Sequence, residues 1–168
     1  MNWELKLARL CSLEGDREEL AIVFGSAPGA TAEALDAIQR GVAGLPAEYI
    51  RFLAQTDGLQ IDMNILAGTG KSDFPSLKRL EKRWREVIQE RGGYVIGEDA
   101  AGAGFLLTPS GAIVLVDADP PHASRTIARS FAEFLDEVLL GPRYQVLFPN
   151  GLYEGNVWWP LLRAEGWA

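Results

Sequence analysis

The segment GLPAEYIRFLAQTDGLQID, Gly44 to Asp62, restricts the possible fold more than any other part of the chain. Pro46 suits a first helical turn, where its missing N–H would have no partner in any case. Tyr49, Ile50, Phe52 and Leu53 fall on one helical face and predict a buried stripe, with Glu48, Arg51 and Gln55 on the wet side. Asp57-Gly58 supplies a stop, since glycine accepts the left-handed conformation of a helix C-cap. Directly afterwards Ile61, Met63 and Ile65 alternate with Asp62 and Asn64, the period of a half-buried strand. A helix with so apolar a face, handing over at once to a strand, predicts helices packed on a sheet.

The flanking sequence extends this pattern. Trp3, Leu7, Leu10 and Cys11 have the spacing of a first amphipathic helix, with Cys11 expected as a small core residue. Asp16 and Glu19 form a capping pair for a short helix carrying Leu20, Val23 and Phe24. Thr31 caps the next helix, which turns Leu35, Ile38 and Val42 inwards. Phe74, Leu77, Leu80, Trp84, Val87 and Ile88 predict one long helix through Gln89, stopped by Gly92-Gly93.

A strand is expected from Tyr94 to Gly97, then an acidic, glycine-rich turn from Glu98 to Gly102. Phe105–Leu107 and Ala112–Val116 pair as a hairpin around Pro109-Ser110-Gly111. Ser130-Phe131-Ala132-Glu133 is a capping box for a helix burying Phe134, Leu135, Val138 and Leu139, and Gly141-Pro142 closes it. In the aromatic tail, Tyr144–Phe148 suits a strand and Pro160 can start a last helical turn. Helices flank a central antiparallel meander, which is an α+β arrangement. With 168 residues, 48% of them apolar, and no repeat or low-complexity linker, one domain spanning 1–168 is expected, with 143–168 as a docked extension.

Charge narrows the partners. The net charge is −7, yet Lys71 to Arg91 carries 7 basic against 4 acidic side chains. An acidic body repels phosphate backbones, so nucleic acid is not expected as a partner. The basic run Lys78, Arg79, Lys82, Arg83 and Arg85 is diluted by Glu81 and Glu86 and reads as a solvated helix face. The longest uncharged run, Ala100 to Val116, is broken by Thr-Pro-Ser-Gly and predicts no membrane span. Glu4, Lys6 and Arg9 interrupt any signal-peptide core, and a lone cysteine forms no internal disulfide, so a cytoplasmic location is expected.

Motifs that carry chemistry fall short. AGTGKS at 67–72 looks like the end of a P-loop, but Ile65 stands where the first glycine is needed. Gly102 and Gly104 are followed by Leu107, not a third glycine, and lead into a strand. His122 is the one histidine, far in sequence from Cys11, so neither a triad nor a zinc site can be assembled around it. Asp117-Ala118-Asp119 lacks the later glycine and glutamate of a calcium loop. No catalytic, cofactor-binding or metal-binding residue is expected, and the chain does not read as an enzyme.

Four places together resemble the SUKH superfamily, which includes fungal cell-wall assembly regulators and bacterial immunity proteins. They are Trp3 with Thr31-Ala32-Glu33; Leu45-Pro46 through Leu53 with Asp57-Gly58; Val95-Ile96-Gly97-Glu98-Asp99 leading into Phe105-Leu106-Leu107; and Ile113–Val116 with Asp117, followed by Ile127 to Leu135. The chain departs from the usual pattern in the single Gly58, where a pair is common, and in the aromatic tail after Arg143. The resemblance implies a SUKH-like scaffold whose function lies in protein contact. It implies an immunity protein that neutralises a toxin, often a nuclease or deaminase, or alternatively a regulatory interaction module without a toxin partner.

Toxins acting on nucleic acid tend to have basic clefts, so the partner surface is expected to be acidic. The candidates are Glu98, Asp99, Asp117 and Asp119, with Asp57 and Asp62 as a second group. In a meander the strands ending at Gly97 and Val116 run in the same direction, so both turns would project from one sheet edge.

Overall fold

The computed structural model describes residues 2–13, 18–42 and 44–168. Its centre is a seven-stranded sheet, wholly antiparallel, in which every strand lies beside its sequence neighbours. The strands are β1 (Phe24–Ser26), β2 (Leu59–Ile61), β3 (Asn64–Leu66), β4 (Tyr94–Glu98), β5 (Gly104–Leu107), β6 (Ile113–Val116) and β7 (Ser124–Ala128). The helices are α1 (Trp3–Leu13), α2 (Leu20–Val23), α3 (Ala32–Gly41), α4 (Ala47–Gln55), α5 (Leu77–Arg83), α6 (Arg85–Arg91), α7 (Phe131–Glu133) and α8 (Trp158–Ala164). A π-helical segment, Phe134–Leu139, continues α7, and a 3-10 turn occupies Tyr144–Leu147. The α+β class expected from the sequence is the class observed.

Neighbouring residues of a strand point to opposite sides, and in the central strands each side meets a helical layer. Phe105 meets Phe134 with ring centroids 5.0 Å apart, on the side of α4 and α7. Its neighbour Gly104 faces α5, where a Cβ would lie 2.9 Å from the Trp84 ring. On the first face Phe52 touches Trp3, Tyr49 and Phe131 at 6.2, 5.3 and 5.4 Å. The Tyr49 hydroxyl donates to the Ala67 carbonyl at 2.6 Å, which ties α4 to the chain just beyond β3. Thus Tyr49, Phe52 and Leu53 are buried as their spacing requires, and Ile50 packs at the margin of the core.

Several local expectations are corrected. Pro46 stands at the N-cap, and the helix ends on extended Thr56, whose hydroxyl donates to the Gly58 carbonyl at 2.6 Å and lies 3.0 Å from the Ala27 carbonyl. Gly58 has φ +114, and a side chain there would also overlap the Phe74 ring, so two separate constraints call for glycine. The residues around Asp62 form a tight hairpin, not one strand, so Met63 is exposed while Asp62 and Asn64 are buried. The long helix through Gln89 is broken at Trp84, which has φ −101 and ψ 22 and donates its indole N–H to Glu98 at 2.8 Å.

Cys11 is exposed, with Sγ 3.5 Å from Ser26 Oγ, while Lys6 takes a buried position on the same helix. Tyr144 begins a 3-10 turn and adds no strand. Glu19 makes no side-chain cap, and Asp16 lies outside the described residues. At Ser130 the cap is present, since its Oγ accepts from Glu133 N–H at 3.1 Å. The Glu133 carboxylate, however, accepts from Arg129 N–H at 2.8 Å and not from the cap residue.

Candidate functional site

Three chain reversals share one edge of the sheet. β2, β4 and β6 run towards this edge and β3, β5 and β7 run away, and the register fixes their level: Ile61 opposite Asn64, Glu98 opposite Gly104, and Val116 opposite both Gly104 and Ser124. The reversals are Asp62-Met63, the turn from Asp99 to Ala103, and the loop from Asp117 to Ala123. Five of the six acidic candidates therefore stand on one edge. Asp57 precedes β2 and lies at its other end.

Sharing an edge does not give these carboxylates the same surroundings. Glu98 accepts from the Trp84 indole and pairs with Arg83 at 3.0 Å, so its charge is already countered. Asp99 Oδ1 accepts from the Ala101 and Ala103 amides at 2.9 and 2.8 Å, the work of a side chain that builds its own turn. Asp57 is buried and accepts from the Thr69 amide and hydroxyl. The loop that resembles a P-loop end thus spends a backbone donor on an internal aspartate.

Asp62 is also buried, with φ 55, a left-handed conformation that aspartate tolerates better than most residues. Tyr144 and Asn156 donate to its Oδ2 and Tyr153 donates to its Oδ1. Those three donors come from the C-terminal tail, and sequence reasoning missed them. The available signal was the polar Tyr153 and Asn156 within an otherwise apolar stretch.

Asp117 and Asp119 differ from the rest. Both are exposed, and neither side chain makes an ion pair among the described residues. Their loop is nonetheless shaped from within: Asp119 carbonyl accepts from His122 N–H at 2.9 Å, and Arg91 donates to the His122 carbonyl at 2.8 Å. The loop contains a cis Pro120–Pro121 bond, and His122 has φ 53. His122 Nδ1 lies 3.1 Å from the Asp117 carbonyl, so the histidine is engaged in holding the loop.

Beside this loop runs an open cleft of about 420 Å³ lined by Lys82, Arg83 and Arg85 together with Ala118 and His122. The basic run is exposed, as expected of a solvated face, and it also borders the acidic loop. Among the described residues no group of three or more His, Cys, Asp or Glu is placed to hold a metal ion. No helix among them is long and apolar enough to cross a membrane.

A meandering sheet covered on both faces, with its polar groups largely committed to the fold, defines an α+β domain whose distinguishing features lie on one edge. The SMI1 / KNR4 family (SUKH-1) model matches residues 29–137, and the chain belongs to this family. α1 and the tail that grips Asp62 lie outside the match. No curated protein matches the chain.

Proposed function

We propose that this protein is an immunity protein, which binds a cognate bacterial toxin of the nuclease or deaminase type and neutralises it by contact, without catalysis of its own. Membership of a family that includes toxin immunity proteins supports the reading. The observation that carries it further is the pair Asp117 and Asp119, two exposed carboxylates without an ion-pair partner among the described residues, on an edge where Asp62 is buried, Glu98 is paired with Arg83 and Asp99 bonds to its own turn. Such charges raise the rate of encounter with a basic cleft strongly and the affinity more modestly. They would lead the partner onto a surface that the rigid sheet already holds in place.

Co-expression with the adjacent reading frame tests the proposal. The expected result is that the two proteins copurify and that host cells survive only when both are made. A neighbouring product that forms no complex, or kills cells regardless of this protein, would overturn it.

A further inference from the structure

The same edge carries a hollow of about 290 Å³, at the bottom of the range of small-molecule pockets, roughly 300–1,000 Å³, and so suited to one large side chain. Met63 of the first reversal, Ala100 and Ala101 of the second, and Leu147, Phe148 and Tyr153 of the tail supply most of its lining. The part of the chain that matches the family therefore meets here the tail that lies beyond the match.

The hollow is lined largely by apolar groups. Among the described residues five large apolar side chains are exposed, and two of them, Met63 and Tyr153, converge on this one hollow. Convergence of that kind marks a contact surface, whereas scattered exposure does not. The Tyr153 hydroxyl is spent on Asp62, which leaves the ring as what Tyr153 can offer. Its centroid lies 6.0 Å from that of Phe148 with the planes tilted by 57°, so the tail contributes an aromatic pair. Asp99 is the one charged residue of the lining, and no lysine or arginine joins it.

The edge beyond the hollow is acidic. From the second reversal to the loop of Asp117 and Asp119 is two strand spacings, roughly 10 Å. An extended chain covers that distance in about three residues. A segment seated in the hollow and running along the edge thus brings a residue three positions away to two exposed carboxylates.

We propose that the hollow receives an aromatic side chain of the partner, carried on an extended segment with a lysine or arginine three positions away. The ring packs against Phe148, Tyr153 and the Met63 thioether, contacts that favour an aromatic guest. The cation faces Asp117 and Asp119. A desolvated aromatic anchor with polar contacts around it is the usual way in which a few residues dominate an interface. A second copy of this chain pairing edge to edge would set its acids against these, so the occupant belongs to a different protein. The inference deepens the toxin-binding reading and rests on it for the source of the segment.

The test labels the methionine methyls of the full chain with ¹³C, which makes Met63 one of only 2 reporters, and the backbone with ¹⁵N. The probe is the capped peptide Trp-Gly-Gly-Lys, compared with Ala-Gly-Gly-Lys, Leu-Gly-Gly-Lys and Trp-Gly-Gly-Glu. Saturable shifts are expected at the Met63 methyl and the Ala101 amide with the first peptide. The alanine peptide should bind at least about tenfold more weakly, the worth of a buried aromatic side chain, and the leucine peptide should fall between them. The glutamate peptide should bind about fivefold more weakly at low salt, a difference that disappears in the Asp117→Asn, Asp119→Asn variant. Met63→Ser, at an exposed position, should weaken the tryptophan peptide while the spectrum stays that of a folded chain. No saturable shift, equal binding of the alanine peptide, tighter binding of leucine or of the glutamate peptide would each overturn the proposal. So would a Met63 shift that depends on protein concentration without peptide, since a second copy would then be the occupant. A toxin that copurifies although the peptide fails would leave the immunity reading standing, and peptide binding without any toxin partner would do the reverse.

Discussion

The Tyr153 hydroxyl donates to Asp62 Oδ1 at 2.6 Å and so joins the tail to a hairpin tip 91 residues earlier. Tyr144 and Asn156 hold the other oxygen of the same carboxylate. One buried aspartate thus fixes the C-terminal tail against the candidate edge. Asp62→Asn keeps the size and tolerates the left-handed backbone, but its amide presents a donor where a donor already points. The expected loss is about 1.5–3 kcal/mol, as for a hydrogen bond to a charged group. Urea unfolding and limited proteolysis of the tail check this; unchanged stability with an equally protected tail would contradict it.

Alkaline pH should release the same contact. Burial, with the bond to Asp62 next, pushes Tyr153 up to about 12, and burial raises Tyr144 well above the ordinary phenol range. The folded value exceeds the unfolded value of about 10, so the docked form gains stability that is complete below pH ~10. That stability is lost as pH rises through the folded value. Tyrosinate absorbance of the 4 tyrosines should show late titration, with one late group absent in Tyr153→Phe. Ordinary titration of all four in the folded protein would contradict the tail geometry.

Phe52 is fully buried at the meeting point of Trp3, Tyr49 and Phe131. Phe52→Ala should cost about 3–5 kcal/mol, the range for buried aromatics truncated to alanine. A melting temperature within about a degree of the parent would contradict its place in the core, since 1 kcal/mol shifts a domain of this size by several degrees.

Lys6 makes a separate tie between the two ends of the chain. Its ammonium donates to the Asp136 and Leu140 carbonyls at 2.8 and 2.9 Å and lies 5.8 Å from the centre of the Trp167 ring. Burial lowers its pKa, while Asp136 and Glu137 oppose that fall. Lys6→Met preserves the stem but leaves the two carbonyls without that donor, at a cost of about 1–3 kcal/mol. Denaturant unfolding measures it, and a stabilised variant would show that apolar burial outweighs the lost bonds.

What the sequence revealed and what it concealed separate along physical lines. Periodicity exposed α4, the β5–β6 hairpin and the burial of Phe134 to Leu139, because each repeats at a fixed local spacing. It concealed β1 and β7, short edge strands whose identity depends on pairing with Leu59–Ile61 and with Ile113–Val116. The alternation at Ile61 to Ile65 has the period of a strand, yet the chain reverses inside it, because distant Tyr144, Tyr153 and Asn156 make burial of Asp62 favourable. Likewise the Trp84 break reflects an indole–carboxylate bond to the next layer.

For the candidate edge, strand direction was legible, since a meander forces alternate turns to one side. Which acids remain available there was not. Glu98 looks no different from Asp117 in sequence until Arg83 is seen beside it.

Changing Asp117 and Asp119 together to lysine, and measuring binding to the proposed toxin partner at two salt concentrations, tests the central claim most directly. Both side chains are exposed, so the fold should persist. The association rate should fall sharply at low salt, affinity should fall more modestly, and the remaining salt dependence should flatten. An intact variant whose association rate, affinity and salt dependence all match the parent would show that the toxin does not meet this edge.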